Sequence, residues 1–438
     1  MLKKLAILSS IFILTACQPH LDKMTLLREP SKAVVNNYSY DDYRNPDYLA
    51  FKSKMQLFAS KLSESVIKRE FKDNKNLALS PLSIELCLGL AVRGASNNTR
   101  EELLKAFDID YQTFNQFYKL FINQMSFEVT DEGKTLAQML LTNSIWIDND
   151  ITLKDSGLDA LKDDYYCYSY HVDFNGDNKN TNKAIQEFIK DKTKGLINPQ
   201  LDLSPMTLFV LMNTLYMKDF WNDYGDDLPY ADKENKFTNR DGKVSNKRLL
   251  NGEYFLGKTL TTDDYSCFHT ETNRGFTLYF VKPNEDKDLK NIFNKDSINY
   301  VLDDSHFIIK DDIKRERYYT QTYFPEFKAE CDIDLCNILK EDYNIKTLFN
   351  PATCDFTNLL DENQECFVSD IKHLAKLDVN KKGIEGAAVT LMAMCGAAAP
   401  DEDPYTDVYE TFIVDKEFGY ILTYNDAVVF SGTVTNID

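Results

Sequence analysis

The sequence predicts an α+β fold that occupies most of the chain as one large domain. Apolar residues recur at helical spacing mainly in the first half, whereas the alternating or continuously apolar runs typical of strands prevail in the second. Helix and strand patterns do not alternate along the chain, which argues against a βαβ architecture. The 438 residues, 43% of them hydrophobic, suffice for a large buried core.

The first half supplies most of the helices. Apolar side chains recur every third or fourth position over residues 51–66, which indicates an amphipathic helix. In "NLALSPLSIELCLGLAVRGA" a short strand precedes a Ser-Pro helix start with Ser80 as N-cap, and the nearly all-apolar helix that follows must be deeply buried. "NTREELLKAF" and "NKAIQEFIKDKTKGLI" predict two more helices, the second ended by Gly195.

The strand segments are longer and come mostly later. "LTNSIWI" predicts a strand, and the continuous apolar run "MTLFVLMNTLYMKDFW" predicts one near the centre of a sheet. "RYYTQTYFPEFKAE" alternates as one half-exposed strand, "IDLCNILKEDYNIKTLF" indicates a helix and "QECFVSDIKHLAKLDVN" a long strand. "ETFIVDKEFGYILTYNDAVVFSGTV" predicts a hairpin of two strands around "NDA".

The N-terminus predicts an exported chain with a lipid anchor. Residues 1–17 carry two lysines and then an apolar stretch too short to span a membrane, the layout of a signal peptide. Its end, "LTAC", resembles the lipobox of bacterial lipoproteins, in which the cysteine, here Cys17, is lipidated; an ordinary signal peptide ending in cysteine is the alternative. Polar residues 18–47 predict a tether that holds the domain away from a bacterial membrane, in the periplasm or at the cell surface.

Charge and cysteine usage limit the classes of function. The net charge of −19 argues against nucleic-acid binding, because a polyanion would be repelled. Besides Cys17 there are eight cysteines without the paired C-x-x-C spacing of a zinc site, and the five histidines are scattered. We therefore expect no metal, no cofactor and no catalytic residue. We also expect a monomer. Most thiols are expected to be buried small side chains, although an exported protein could pair them.

Five motifs, in four stretches with matching order and spacing, resemble the serpin family over about residues 48–438. "NLALSPLSIELCLGLAVRGASNNTREELLKAF" resembles the serpin segment with N-x-x-x-S-P-x-S and G-A-x-G-x-T-x-x-E, and "NTLYMKDFW" resembles N-x-x-Y-F-K-G-x-W. "YFPEFKAECDIDLCNILKEDYNIKTLFNPATCDFTNL" resembles the stretch that begins P-K-F and ends in a D-F/L pair. "FVSDIKHLAKLDVNKKGIEGAAVT" resembles the strand and hinge V-S-x-x-x-H-x-A-x-x-x-V-N-E-E-G-T-E-A-A-A.

The resemblance implies a serpin fold, with three β-sheets, about eight or nine helices and an exposed reactive loop over about residues 381–408. It implies a suicide-type inhibitor that offers the loop to a serine protease, with cysteine proteases as a further class of target. The protease supplies the nucleophile, and insertion of the cleaved loop into the main sheet traps the acyl-enzyme. A non-inhibitory binding or storage protein with the same fold is the alternative.

The hinge of such a loop corresponds to Gly383, Ile384, Glu385, Gly386, Ala387 and Ala388. Alternate residues of a strand share a face, so Ile384, Gly386 and Ala388 fall on one side and Glu385 on the other. The apolar side can slide over a packed core without burying a charge. Two lysines at 381 and 382 stand where the family has acids, and Ile384 stands where it has a small residue.

The predicted position of the bond that the protease cleaves depends on whether residues are counted forward from the hinge or back from Phe418. Family spacing from the hinge places it at Ala397–Ala398, with Met394 and Cys395 as fallback positions. Counting back from Phe418 moves it several residues later, into an acidic segment that is longer than usual. Small side chains at the bond suit an elastase-like specificity pocket, whereas the segment lacks the Lys or Arg that a trypsin-like pocket requires.

The resemblance also implies a set of polar residues that lets the central strands part. These residues are Ser80, Ser83, Asn213 and His373, and Trp221 marks the end of the same sheet where insertion begins. Ordinary hydrogen-bonded core polar groups and a large core aromatic are the alternatives for each position alone.

Overall fold

The structure, a computed structural model, describes residues 24–31, 38–131, 134–221, 227–361, 366–385 and 404–437. The predicted signal peptide with Cys17 lies outside the described residues. Three residues of the predicted hinge also lie outside the described residues, namely Gly386, Ala387 and Ala388. The same holds for the predicted bond Ala397–Ala398 and for the fallback positions Met394 and Cys395.

The described residues form ten α-helices of an α+β fold. They are α1 (Tyr40–Tyr43), α2 (Pro46–Glu70), α3 (Pro81–Gly94), α4 (Asn97–Phe107), α5 (Tyr111–Met125), α6 (Asp155–Tyr165), α7 (Asn178–Lys192), α8 (Leu289–Ile292), α9 (Lys295–Val301) and α10 (Cys336–Asp342). Helices α1 and α8 have 4 residues each, a single turn, so that eight longer helices remain within the described ranges. Two short 3-10 helices, Asp304–His306 and Thr347–Phe349, complete the helical structure.

The strands follow the same chain order. They are β1 (Thr25–Arg28), β2 (Leu77–Leu79), β3 (Phe127–Asp131), β4 (Lys134–Asp148), β5 (Cys167–Val172), β6 (Phe209–Phe220), β7 (Asn235–Thr238), β8 (Val244–Lys247), β9 (Leu250–Leu256), β10 (Leu260–Thr261), β11 (Tyr265–Glu271), β12 (Thr277–Pro283), β13 (Lys310–Asp311), β14 (Glu316–Phe324), β15 (Phe327–Asp334), β16 (Lys372–Asn380), β17 (Gly383–Glu385), β18 (Thr406–Ile413), β19 (Phe418–Tyr424) and β20 (Ala427–Val434).

Three main sheets organise these strands, as the resemblance implied. The main sheet has eight strands in the order β1-β5-β4-β6-β17-β16-β15, with β3 on β4. A six-stranded sheet runs β10-β11-β12-β19-β20-β2, and a four-stranded sheet combines β13, β14 and β18 with β9 on β14. A two-stranded ribbon of β7 and β8 is separate.

The core lies between the main sheet and the six-stranded sheet. Helix α3 packs against both β6 and β20, and α2 packs against β20. The start of α3 follows from its sequence, since the Ser80 side chain accepts a hydrogen bond from the backbone N–H of Ser83 and Pro81 occupies the first turn. As predicted, this helix is buried on nearly all sides.

Two strand predictions from the sequence require correction. The alternating run "RYYTQTYFPEFKAE" forms two strands in different sheets, β14 and β15, because Pro325 between them offers no N–H to continue a ladder. In the predicted long strand "QECFVSDIKHLAKLDVN", whose first two residues lie outside the described ranges, the described part forms a strand from Lys372, as β16. The helix "IDLCNILKEDYNIKTLF" is likewise shorter, and α10 ends at Asp342.

Part of the predicted tether 18–47 belongs to the fold. Strand β1 pairs antiparallel with β5 at the edge of the main sheet, and Arg28 forms ion pairs with Asp155 and Asp159 of α6. The end of the segment forms α1 and the start of α2. An edge strand offers unpaired backbone groups, so a short extended segment can add to it even when its side chains are polar.

The cysteines within the described ranges are all free thiols. They are Cys87, Cys167, Cys267, Cys331, Cys336, Cys354 and Cys366, and each is buried or half-buried. Burial raises the pKa of the Cys87 thiol to about 12, so it carries no thiolate at neutral pH. In the described part of the chain, no helix is long and apolar enough to cross a membrane.

Candidate functional site

A slot passes through the main sheet between β6 and β16. Within the described ranges these two strands are not hydrogen-bonded to each other, and β17 separates them at one end only. Beyond β17 lies a cavity of about 150 Å³, lined by residues 209–215 on the β6 side and 368–376 on the β16 side. Its lining includes α3 on one face of the sheet and α7 on the other, so the cavity extends through the sheet.

The start of α3 contacts one wall of the slot through Ser83. The Ser83 hydroxyl donates a 2.7 Å hydrogen bond to Oδ1 of Asn213, which lies in the middle of β6. The Asn213 amide in turn donates to Oδ1 of Asn143 on β4 at 3.0 Å. This chain of side chains fixes β6 to the helix below it and to the next strand.

The same helix start contacts the opposite wall through Ser80. The backbone N–H of Ser80 donates a 3.1 Å hydrogen bond to Nε2 of His373 on β16. The Ser80 hydroxyl donates to the carbonyl oxygen of Val429 on β20 at 2.9 Å. Burial lowers the pKa of His373 to about 4, which keeps the imidazole neutral and Nε2 able to accept.

The four polar residues named from the sequence therefore lie together, two on α3 and one on each wall of the slot. Backbone ladder bonds that would join β6 to β16 are replaced by side-chain bonds to a helix. Such bonds can break and reform without loss of the strands themselves, because each wall keeps its ladder with the strand on its other side.

Sequence reasoning missed Asn143, which extends this cluster to β4. Asn143 is buried, and its amide donates to the carbonyl oxygen of Tyr165 at 2.8 Å. The sequence does contain a signal for Asn143, since it is the single amide side chain in the apolar strand "LTNSIWI". A buried amide requires hydrogen-bond partners, which predicts neighbouring polar groups.

Trp221 lies at the far end of β6 and joins it to the turn that follows β16. Its indole N–H donates to the carbonyl oxygen of Asn380 at 2.7 Å, and its backbone N–H donates to that of Lys382 at 3.2 Å. The ring packs edge-on against Phe324. The tryptophan thus connects the end of β6 to the turn between β16 and the hinge strand.

The first three hinge residues already form a strand inside the main sheet. Strand β17 follows β16 after a two-residue turn, and Gly383 pairs with Asn380 on one side and with Phe220 on the other. A Cβ atom at Gly383 would lie 1.9 Å from the carbonyl oxygen of Asp219. Only glycine therefore permits the hinge backbone to approach β6 this closely.

The side chains of β17 alternate as the sequence predicted. Ile384 is buried in the core, with 2% of its surface exposed. Glu385 is half-buried, and its carboxylate accepts a 2.8 Å hydrogen bond from the Tyr216 hydroxyl. The apolar β-branched residue at 384 is thus accommodated on the core side.

The two lysines that depart from the family pattern lie in the turn, away from the slot. Lys381 forms a 2.6 Å ion pair with Asp227, and its backbone N–H donates to Glu326. Lys382 is exposed. Neither ammonium group lies on the side of β17 that faces the core, so the lysines do not obstruct a strand in this position.

Comparison with known proteins identifies the family. The family model described as "Serpin (serine protease inhibitor)" matches residues 53–437. The chain belongs to the serpin family. Sheep antithrombin-III is 25% identical over 348 residues, which cover 74% of this chain and 69% of the relative.

Solved structures show the same fold. The thermophilic serpin tengpin in its native state superposes with a TM-score of 0.69 at 19% identity, covering 95% of this chain and 100% of tengpin. Thyroxine-binding globulin complexed with thyroxine gives a TM-score of 0.66 at 18% identity, covering 87% and 99% of the two chains. The predicted serpin fold is confirmed. Membership of the family supports protease inhibition as the general type of function.

Two chemical observations bear on other classes of site in this serpin. No group of three or more His, Cys, Asp or Glu side chains in the described ranges is placed to hold a metal. In the "CFH" segment, burial lowers the pKa of His269 to about 4 and raises that of the Cys267 thiol, so the two cannot form a thiolate–imidazolium pair at neutral pH.

Proposed function

We propose that this serpin is an exported suicide-type inhibitor of serine proteases, in which the cleaved loop inserts as a strand between β6 and β16. The observation that carries the proposal is the slot, which begins where the hinge strand β17 ends. Strand β17 already has the direction and the pairing partners that a longer inserted strand would need.

The energy of insertion is large enough to trap a protease. Each inserted residue gains a net hydrogen-bond contribution of roughly 1 kcal/mol, and apolar burial adds about 25 cal/mol per Å². About ten residues therefore release on the order of 10 kcal/mol, comparable to the stability of an ordinary domain. The acyl-enzyme belongs to the protease, so the serpin acts once and needs no catalytic residue.

The target is proposed to be an elastase-like protease that cleaves at Ala397–Ala398. Small residues at the bond suit a shallow specificity pocket, and the bond is counted from the hinge because the trapping mechanism constrains the length of the inserted strand. Met394 and Cys395 offer secondary bonds for enzymes of broader or chymotrypsin-like specificity. Cysteine proteases, which also form an acyl-enzyme, are a further class of target.

The chain is proposed to be exported and anchored through a lipid on Cys17, as a monomer. The support is the signal-like stretch that ends in "LTAC". Replacing Cys17 with Ser is expected to release the protein from membranes or to block its processing, as fractionation will show. Unchanged membrane partition in that variant would rule out the anchor.

A non-inhibitory binding protein is the second candidate. One solved relative with the same fold is thyroxine-binding globulin in complex with thyroxine. The chain would then use the fold without inserting its loop. The heat stability of the cleaved chain distinguishes the two functions, because insertion raises the melting temperature sharply and a binding protein gains nothing from cleavage.

The inhibitory function predicts a covalent complex with an elastase-like protease that survives boiling in detergent. Ala388→Arg would place a charge on the apolar face of the inserting strand, which is costly to bury, so that variant is expected to be cleaved and released. Ala387→Arg is the matched control, because alternation places it on the opposite face.

The two arginine variants therefore separate insertion from recognition of the loop. Full trapping by Ala388→Arg, or equal loss of trapping in both variants, would contradict insertion as the mechanism. Mass spectrometry of the released fragments identifies the bond, and a cut outside residues 391–400 would contradict the spacing from the hinge.

A further inference from the structure

Asp219 is a buried carboxylate next to the hinge. It is the penultimate residue of β6, pairs with Ile384 of β17, and exposes 2% of its surface. It occupies the position of glycine in the pattern N-x-x-Y-F-K-G-x-W that "NTLYMKDFW" otherwise follows. A carboxylate is rarely buried this deeply unless several donors bind it.

Three donors bind this carboxylate, and two of them come from another sheet. Oδ1 accepts from the backbone N–H of Phe220 at 2.8 Å, and Oδ2 accepts from that of Arg274 at 3.1 Å. The hydroxyl of Thr272 donates a third hydrogen bond. Thr272 and Arg274 belong to the turn between β11 and β12, in the six-stranded sheet.

The turn that receives Asp219 is itself well fixed. The Thr272 hydroxyl also accepts from the backbone N–H of Phe276, and the N–H of Asn273 donates to the carbonyl oxygen of Phe220 at 2.9 Å. Asp219 therefore fastens the hinge end of β6 to a rigid part of the neighbouring sheet. The backbone of Asp219 is also the surface on which Gly383 packs.

We propose that Asp219 is the positioning residue that holds the hinge end of β6 against β17, and that ionisation of its buried carboxyl loosens this end of the slot. The inference rests on the proposed function, because it assigns a control point to the same insertion site. Each carboxylate oxygen already accepts from a backbone N–H. The neutral carboxyl keeps both of these bonds, because each oxygen retains an acceptor lone pair, whereas ionisation leaves a negative charge buried beside the hinge.

The titration falls near neutral pH. Burial raises the pKa of Asp219 to about 7, although the hydrogen bonds from Thr272, Phe220 and Arg274 and the charge of Arg274 oppose the rise. His373, on the β16 wall of the slot, has its pKa lowered to about 4 and stays neutral through this range. The switch is therefore a property of the carboxylate and not of the nearby imidazole.

Several other charged groups surround the hinge. They are Arg274 on the turn, Lys218 on the same strand, Glu385 bound to Tyr216, Lys381 paired with Asp227, exposed Lys382, Asp378 paired with Lys328, and Glu271 at the end of β11. Among them Arg274 is the one whose charge acts on the Asp219 carboxylate.

Hydrogen exchange of the uncleaved, full-length protein tests the proposal directly. As the pH rises from 5.5 to 8.5, the protection factors of the β17 amides, corrected for intrinsic exchange, are expected to fall about tenfold, with the fall beginning near pH 7. Asp219→Asn cannot ionise, so its protection factors should not change with pH over this range.

Asp304→Asn is the matched control, since burial also raises the pKa of that carboxyl but its partner is the Tyr279 hydroxyl. The pH step should persist in it. Asp219→Gly, which restores the family pattern, provides a second variant that removes the carboxylate if the amide disturbs folding. A wild-type protein without the step, or a step that survives in both Asp219 variants, would overturn the proposal.

The outcome can be separated from that of the inhibitory function. Cleaved wild-type protein is expected to reach its heat-stable form several-fold faster at pH 8.5 than at pH 5.5, and the rate in Asp219→Asn should not depend on pH. A rate that does not respond to pH contradicts the control point. If cleavage raises the melting temperature at no pH, insertion fails as a function, whereas the exchange step in the uncleaved protein still decides the positioning role.

Discussion

The main sheet and the six-stranded sheet differ in how their central strands are joined. In the six-stranded sheet β19 and β20 pair along their whole length, and all their residues are buried. In the main sheet β6 and β16 are separated by a slot, and the start of α3 connects them through Asn213 and His373. The comparison teaches that side-chain bonds to a helix can join two strands of a sheet where a backbone ladder is absent.

Two glycines allow this comparison to be tested with one kind of substitution. A Cβ atom at Gly432 of β20 would lie 1.9 Å from the carbonyl oxygen of Leu77, and one at Gly383 would lie 1.9 Å from that of Asp219. The steric problem is the same, but β20 is fixed on both sides by paired strands whereas β17 is a three-residue strand at the edge of the slot.

Gly432→Ala is expected to have the largest effect on folding. The free energy of unfolding should fall by about 4 kcal/mol or more, because β20 cannot move away from β2. Gly383→Ala should lower it by about 1 kcal/mol, since the hinge can leave the sheet, but it should slow loop insertion strongly. Urea denaturation and the heat stability of the cleaved protein measure the two effects. Equal destabilisation by both alanines would contradict the difference between the sheets.

Two buried histidines extend the comparison to pH. Burial lowers the pKa of both His269, on β11, and His373 to about 4. The unfolded chain takes up these protons near pH 6.5, so the stability that each neutral imidazole contributes is complete above pH 6.5 and is lost as the pH falls toward 4. Each histidine accounts for about 3 kcal/mol of this loss.

His269→Gln and His373→Gln should therefore both flatten the fall of stability between pH 6.5 and 4, as measured by urea denaturation. Only His373→Gln should change the rate of loop insertion, because His269 lies in the sheet that stays closed. A change in insertion rate in His269→Gln would show that the six-stranded sheet also takes part in opening.

Two serines give the smallest expected effect. Ser83→Ala removes the donor to Asn213, and Ser63→Ala removes a 2.7 Å hydrogen bond between Ser63 of α2 and Ser431 of β20. Each should cost about 1–2 kcal/mol of unfolding free energy, the loss of one buried hydrogen bond. Ser83→Ala should in addition speed spontaneous insertion of the uncleaved loop, which native gel mobility and heat stability will report. Faster insertion in Ser63→Ala alone would refute the role of α3.

The sequence predicted most elements and the polar cluster, because these depend on local patterns and on family motifs. The capped start of α3, the central position of β6 and the buried side chain of Ile384 follow from residues close together in the chain. Family blocks then related Ser83 to Asn213 without any knowledge of their 2.7 Å contact.

The remainder depended on contacts that no local pattern encodes. The hydrogen bonds of Asp219 to the turn at Thr272 join different sheets, and the residues concerned are far apart in the chain. The pairing of β1 with β5 uses an edge whose partner could have been another segment. Pro325 is a local signal against one continuous strand, although the alternation continues on both sides of it.

The direction of β1 has a further consequence for geometry. Thr25 pairs with His171, which is level with Ile147 and Phe209, so the chain enters the sheet at the end opposite to the hinge. Phe220, at the hinge, is eleven residues farther along β6, roughly 36 Å at about 3.3 Å per residue.

A lipid on Cys17 would therefore hold the pole of the domain that lies farthest from the loop. The reactive loop would then face away from the membrane, toward proteases in solution. Insertion of the loop along the slot would then move the captured protease toward Phe209 and the membrane. Inhibition would thus also translocate the protease along the length of the molecule.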